Sequence, residues 1–304
     1  MKYKNIIQRM RMPLPELEAY YRERRKERFE QGKKLKHIHH RETVYPLFAL
    51  FLKLDRLFRK QTITVLGEQK KYNGQVIFAC THISGHDLES IYESLHRGCW
   101  WFVGDPCVLY KDISGLLLYL NGSIFLETGD KDDRHIAYLR AVEVLKAGGS
   151  LMICPEGARN GSENIPVWPL FQGTAKMALE THVKIVPVAI EQNDRHFVIK
   201  FGSALLPDHF SDPTELTKEL RDALAALKWD IWENEGIQPR NSFPDNYNEV
   251  FRQDFAVKLE PYDTLESVER TRFHTKEEVE QRDAFAHLDM LIPCKENAFL
   301  LRER

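Results

Sequence analysis

The chain has no paired cysteines. Its five, Cys80, Cys99, Cys107, Cys154 and Cys294, are odd in number, scattered, and form no Cys-x-x-Cys motif. This excludes a disulfide scaffold and favours buried thiols in a reducing compartment. Long apolar runs are missing too. The longest, Thr43 to Leu52, is well short of the roughly 20 residues a membrane-spanning helix needs, so no transmembrane helix is expected. No low-complexity tract or internal repeat occurs. The first residues alternate charged and apolar, which predicts no cleaved leader. Net charge is only −2, with 43% hydrophobic and 29% charged residues over a length of 304, enough for one large globular domain with additions.

The small net charge hides an asymmetry. Residues 1–60 hold 17 Lys and Arg against 7 Asp and Glu, a balance of +10, so the remainder carries −12. A basic head on an acidic body points to an anionic partner surface. Residues 16–36 interleave Glu and Arg as an exposed helix would. Residues 44–60 combine Leu47, Phe48, Leu50, Phe51, Leu54, Leu57 and Phe58 with Lys53, Arg56, Arg59 and Lys60. Two readings stand for this helix, a membrane-surface helix and one packed on the domain that follows. His37, His39 and His40 lack a carboxylate or thiol companion at ligand spacing and read as solvated rather than metal-binding.

From Thr62 the pattern becomes α/β. Strands are expected at 62–66, 75–80, 100–103, 123–127, 150–154, 184–190 and 197–201. Helices are expected after Asp87, at 113–120, 132–146 and 173–180, and from Asp212-Pro213-Thr214-Glu215 to about Trp232. Gly148-Gly149 reads as a helix stop, and Asp212 as a cap with Pro at the first helical position. Alternation of this kind implies a mostly parallel sheet with helices on both faces. Beyond residue 240, helices are expected at 245–258 and 275–291, with 259–267 irregular. The expected organisation is a basic amphipathic segment (1–60), an α/β domain (61–239) and an extension (240–304) that caps the domain, mediates dimerisation or binds a partner.

Two polar loops follow strand-like runs. Thr81-His82-Ile83-Ser84-Gly85-His86-Asp87 places a His at a strand end and an Asp in the first turn of a helix. A His there suits general-base work, and a nearby carboxylate suits holding its ring. Asp87 has a second reading, since Ser84 to Asp87 also fits a helix cap followed three residues on by a carboxylate. His82, His86 and Asp87 show no third or fourth ligand at fixed spacing, so no metal is expected, and His86 reads as a surface residue at the helix start. The second loop is Pro155-Glu156-Gly157-Ala158-Arg159. Gly157 permits a tight turn, and Arg159 offers a planar fork suited to phosphate.

These blocks resemble the glycerolipid acyltransferases of the 1-acylglycerol-3-phosphate acyltransferase type. That family carries a His-x4-Asp motif, a Gly-x-Ile-Phe block, a Pro-Glu-Gly-Thr-Arg-like block and a Val-Pro block. Here they are similar to His82–Asp87, Gly122-Ser123-Ile124-Phe125, Pro155–Arg159 and Ile185-Val186-Pro187-Val188, in order over about residues 62–205. Phe171-Gln172-Gly173 is similar to a following Phe-x-x-Gly, one residue shorter. Four blocks in order are far more specific than a lone His-x4-Asp.

The resemblance implies an O-acyltransferase of phospholipid biosynthesis. It would move a fatty acyl group from acyl-CoA or acyl-carrier protein, as co-substrate, to a lysophospholipid or glycerol phosphate hydroxyl, with no cofactor or metal. It implies His82 as base, Asp87 as its orienting partner, and Ser84, Glu156, Gly157 and Arg159 as substrate-binding, with Arg159 on the acceptor phosphate. The expected location is the inner membrane face, peripherally, on the cytoplasmic side, with no nucleic acid as partner. Two departures stand out. Thr81 replaces a frequent Asn, and Thr128 stands where a second phosphate-binding Arg is common, with Lys131 and Arg134 displaced from it. A lipid-binding protein that has lost turnover, and a thioester hydrolase, are the competing readings.

Overall fold

The computed structural model describes residues 4–67, 72–104, 118, 120–162, 165–235, 244–259 and 264–271. Three helices come first: α1 (Ile6–Met10), α2 (Leu14–Glu30) and α3 (His40–Phe58). Strands β1 (Thr62–Leu66) and β2 (Ile77–Cys80) follow, then α4 (Asp87–Leu95), β3 (Trp100–Gly104), β4 (Ser123–Leu126), α5 (Lys131–Lys146) and β5 (Leu151–Ile153). Helix α6 (Gly173–Thr181) leads into β6 (Ile185–Asn193) and β7 (His196–Phe201). The described chain closes with a short 3₁₀ turn (Pro207–His209), α7 (Pro213–Glu235), α8 (Tyr247–Lys258) and α9 (Leu265–Thr271).

The seven strands form one sheet in the order β1-β7-β6-β2-β5-β3-β4. β6, β2, β5, β3 and β4 run parallel. β7 turns back antiparallel on β6, and β1 follows β7. The expected mixed, mostly parallel α/β sheet is therefore present. Alternate strand residues feed opposite faces, as the two-residue period of a strand requires. Ile77, Ala79, Leu151 and Ile153 pack under α5, α6 and α7. Phe78, Cys80, Met152 and Val188 pack under α3 and α4. Helix α5 ends as Gly148-Gly149 predicts. Gly148 has a positive φ of 94, its amide reaches the Leu145 carbonyl, and the Gly149 amide reaches Val144. Asp212 caps α7 by accepting the Glu215 amide at 3.3 Å. Cys80, Cys99 and Cys154 are free thiols, the first two buried; Cys107 and Cys294 lie outside the described residues.

The basic head is only partly a free surface. Arg25 of α2 forks onto the fully buried Asp133 of α5, with Nε to Oδ1 at 3.0 Å and Nη2 to Oδ2 at 2.7 Å. Lys26 bonds Asp130 at 3.0 Å. α2 thus spends cations inside the molecule, against carboxylates that also favour the N-terminus of α5. α3 packs on the domain by one face and leaves an apolar face exposed. Tyr45, Phe48 and Leu52 pack on α4 and the sheet, while Leu47, Leu50, Phe51, Leu54, Leu57 and Phe58 are exposed, Leu47 by 74% and Phe58 by 86%.

One expectation past residue 258 needs correcting. Leu265–Ser267 is helical rather than irregular. The Thr264 amide bonds the Ser267 hydroxyl at 2.9 Å and the Ser267 amide bonds the Thr264 hydroxyl at 3.1 Å, a reciprocal cap that starts α9. The helix expected at 275–291, and nearly all of the one at 113–120, lie outside the described residues.

Candidate active site

β2 and β5 are neighbours in the sheet, yet their following helices lie on opposite faces, α4 on one and α6 on the other. The chain therefore diverges above their carboxyl ends, the position where parallel α/β sheets form a crevice. Both motif loops emerge there.

The His82 ring is 17% exposed, and its Nδ1 lies 2.8 Å from Asp87 Oδ2. Asp87 is fully buried at the start of α4. The same Oδ2 accepts the Ile83 amide at 2.6 Å and the Ser84 amide at 3.0 Å. Burial alone would raise the Asp87 pKa, but the His82 ring and these two amides outweigh it and hold the carboxyl below its ordinary value. A charged carboxylate fixed this way suits accepting Nδ1–H, the tautomer that leaves the lone pair on Nε2. The capping alternative for this loop is half realised. Asp87 reaches back to the Ser84 amide, but the residue before the helix is His86, and the Ser84 hydroxyl has no partner among the described residues.

The second loop grips the His82 main chain. Glu156, fully buried, accepts the His82 amide on Oε1 at 3.4 Å and the Trp168 amide on Oε2 at 2.8 Å. The Asn160 amide donates to the His82 carbonyl at 2.7 Å. Arg159 Nε donates to the Ser84 carbonyl at 3.2 Å, so the guanidinium is tied to the first loop. Gly157 turns with a φ of 71. A Cβ there would stand 2.4 Å from the Phe171 ring, so this position demands glycine twice over. His82, Asp87, Ser84, Glu156, Gly157 and Arg159 are thus brought together. Ser84, expected to touch substrate, is 2% exposed. Its amide and carbonyl link Asp87 to Arg159 instead.

The sequence reading missed Asn160, Trp168 and Thr81. The Thr81 hydroxyl accepts the Ile190 amide at 3.0 Å, which extends the β2–β6 ladder up to His82. Thr81 was noticed only as a departure from a pattern, and main-chain contacts such as those of Asn160 and Trp168 leave no mark on residue type. His86 is half-buried against Arg59 rather than a surface residue. Burial, with the Arg59 charge added, lowers its imidazole to about 4, so it is neutral at pH 7. Among the described residues no group of three or more His, Cys, Asp and Glu is placed to hold a metal. Thr128 lies beyond β4, where Arg134 bonds its carbonyl.

Burial raises the Glu156 carboxyl from 4.5 to about 7, against the lowering effect of the Trp168 amide and the Lys228 charge. Folding therefore favours its protonated form. That contribution is full below about pH 4.5 and is lost as pH rises through about 7, an effect of about 3 kcal/mol. Thermal unfolding of wild type and Glu156→Gln between pH 5 and 8 checks this. Wild type is expected to lose stability relative to the variant as pH rises; a constant gap would contradict the titration.

Residues 62–191 match the model of the Acyltransferase family. A 1-acyl-sn-glycerol-3-phosphate acyltransferase of Borreliella burgdorferi is 33% identical over 92 residues, covering 30% of this chain and 36% of that protein. A protein of the same name from Saccharomyces cerevisiae is 23% identical over 159 residues, covering 52% of this chain and 50% of the relative. The chain thus spans half or less of the length of these relatives. The crystal structure of the 1-acyl-sn-glycerophosphate (LPA) acyltransferase PlsC from Thermotoga maritima shares the fold. Its TM-score is 0.53 at 21% identity, over 70% of this chain and 88% of that one. Residues 62–191 are thus similar to the acyltransferase family that the four blocks resemble.

Proposed function

We propose that the protein is an O-acyltransferase that esterifies a lysophospholipid or glycerol phosphate hydroxyl with a fatty acyl group from a thioester donor, acyl-CoA or acyl-carrier protein. The observation that carries this is the 2.8 Å contact of His82 Nδ1 with a buried carboxylate that two amides already fix. An alcohol is a poor nucleophile until its proton is taken in the transition state. His82 Nε2 accepts that proton as the hydroxyl oxygen attacks the thioester carbonyl carbon. The tetrahedral intermediate collapses, the C–S bond breaks, and the imidazolium returns the proton to the leaving thiolate. Asp87 steadies the imidazolium meanwhile. No covalent enzyme intermediate is required. Arg159, beside the first loop, receives the acceptor phosphate. With Thr128 in place of a second cation, acceptor binding leans on Arg159.

The test is a labelled acyl thioester with a panel of acceptors, separating ester from free acid. Acceptor-dependent ester supports the reading. Free acid release indifferent to acceptor would make the protein a hydrolase, and binding without either product would overturn the reading.

The exposed face of α3 is assigned to the membrane surface. Leu47, Leu50, Leu54 and Phe58 recur at helical spacing, with Lys53 and Lys60 nearby to meet lipid phosphates. Among the described residues no helix is long and apolar enough to cross a bilayer, and the proposed attachment is peripheral. Replacing Leu47, Leu54 and Phe58 with Ser is expected to cut co-sedimentation with anionic liposomes by at least about tenfold, since each buried Leu or Phe contributes about 1.5–3 kcal/mol. Unchanged co-sedimentation at low salt would contradict the assignment.

A further inference from the structure

We infer that helices α8 and α9, beyond residues 62–191, are part of the site machinery, because they seat on both motif loops one residue away from the groups that hold His82 and Asp87. The inference rests on the acyl-transfer reading above. Three contacts carry it. The Gly85 amide donates to the Lys258 carbonyl at 3.1 Å; Gly85 follows Ser84, whose own amide bonds Asp87. Phe255 is buried with its ring over Gly161, where a Cβ would come within 2.5 Å of it; Gly161 follows Asn160, whose amide bonds the His82 carbonyl. Val268 of α9 is buried against Ala158 and Trp168; Ala158 adjoins Arg159, and the Trp168 amide bonds Glu156.

The segment is itself braced. Lys258 Nζ donates to the Gln192 carbonyl at the end of β6, 3.1 Å away. Phe251 stacks nearly parallel on Phe255 at 6.4 Å between centroids, and Tyr247 backs Phe251 at 6.1 Å. These rings recur every four residues, on one face of α8. On the other side of the first loop, Arg59 at the end of α3 lies against His86. The His82–Asp87 loop is therefore held between α3 and α8. A base must sit within a fraction of an ångström of its productive position, and a displacement of about 1 Å can cost about a hundredfold. Lys258 and Phe255 are accordingly positioning residues, acting on His82 through the main chain of the two loops.

The test uses the full chain, with acyl-transfer kinetics and hydrogen exchange of the 82–87 peptide measured together. Phe255→Ala is expected to lower kcat about tenfold, with KM for the acyl thioester within about twofold of wild type, and to speed exchange at 82–87. Lys258→Met should act in the same direction more weakly, and Lys258→Arg should restore wild-type values. Val257→Ser, at a position 85% exposed on α8, should change neither. Wild-type kcat and exchange in both Phe255→Ala and Lys258→Met would overturn the inference. If Phe255→Ala fails to fold, Phe255→Leu and Lys258→Met decide it on the same two readouts. If wild type transfers no acyl group, the acyl-transfer reading fails by itself. Exchange then decides: faster exchange at 82–87 in the variants supports the seating, and unchanged exchange overturns it.

Discussion

Replacing His82 with Ala is expected to lower kcat for acyl transfer by about three orders of magnitude, within the range a positioned general base contributes. Among the described residues, the His82 ring is the titratable side chain that Asp87 bonds. Removing it takes away a polar ring, 17% exposed, rather than part of the apolar core. The main-chain grip of Glu156 and Asn160 on residue 82 does not involve the side chain and persists. Asp87 keeps its two amide donors, so the loop keeps its shape and the fold survives. KM for the acyl thioester should change little, because the donor's binding energy does not come from the imidazole. Steady-state kinetics with near-UV circular dichroism checks both halves. A variant that remains folded and retains wild-type kcat would remove His82 from the chemistry.

The second large effect is expected from Asp87→Asn, a change of one atom. The carboxylate oxygen Oδ2 accepts from His82 Nδ1 and from the Ile83 and Ser84 amides. An amide side chain has one acceptor oxygen and one donor nitrogen. If the oxygen stays on the two main-chain amides, little acceptor capacity remains for Nδ1–H. If the nitrogen turns toward the ring, the ring must flip its tautomer, which puts a proton on Nε2, where the substrate hydroxyl needs a lone pair. Either way the imidazolium loses the charge that stabilises it. A loss of about 10³–10⁴ in kcat is expected, with a shallower and shifted pH–rate profile. Retention of at least about a tenth of wild-type kcat across the pH range would contradict this, leaving Asp87 as a loop-capping residue only.

Much of this architecture was open to sequence reading because the signals were local. The strands of the parallel core are short, fully apolar runs, as the buried tetrad Ile77–Cys80 shows, and the loops after β2 and β5 carry unusual residue types at strand ends. Helix α5 announced its end through Gly148-Gly149. What escaped was non-local. The cations of α2 could not be paired in advance with Asp130 and Asp133, more than a hundred positions away, so the whole basic head read as pointing to an anionic partner surface. The reversal at β7 rests on a two-residue hairpin at Asp194-Arg195, with Asp194 at a φ of 51, within an apolar pattern shared by parallel and antiparallel strands. The seating of α8 and α9 on the loops depends on a carbonyl, an amide and a missing Cβ at Gly161, none of which has a period to find.

The site followed the same rule. His82, Asp87, Glu156 and Arg159 stood out in the sequence by residue type, and the structure brings them together. Asn160 and Trp168 act through main-chain amides, and Ser84 through its amide and carbonyl rather than the hydroxyl that drew attention to it.

The most direct test of the account is a double-mutant cycle on kcat with His82→Ala, Asp87→Asn and the two combined, measured as acceptor-dependent ester formation from a labelled acyl thioester. In the proposed mechanism Asp87 acts on the reaction only through the His82 ring, so the double variant is expected to be no slower than His82→Ala alone, within about twofold. Losses that multiply would contradict the account, because Asp87 would then contribute independently of the base it is held against.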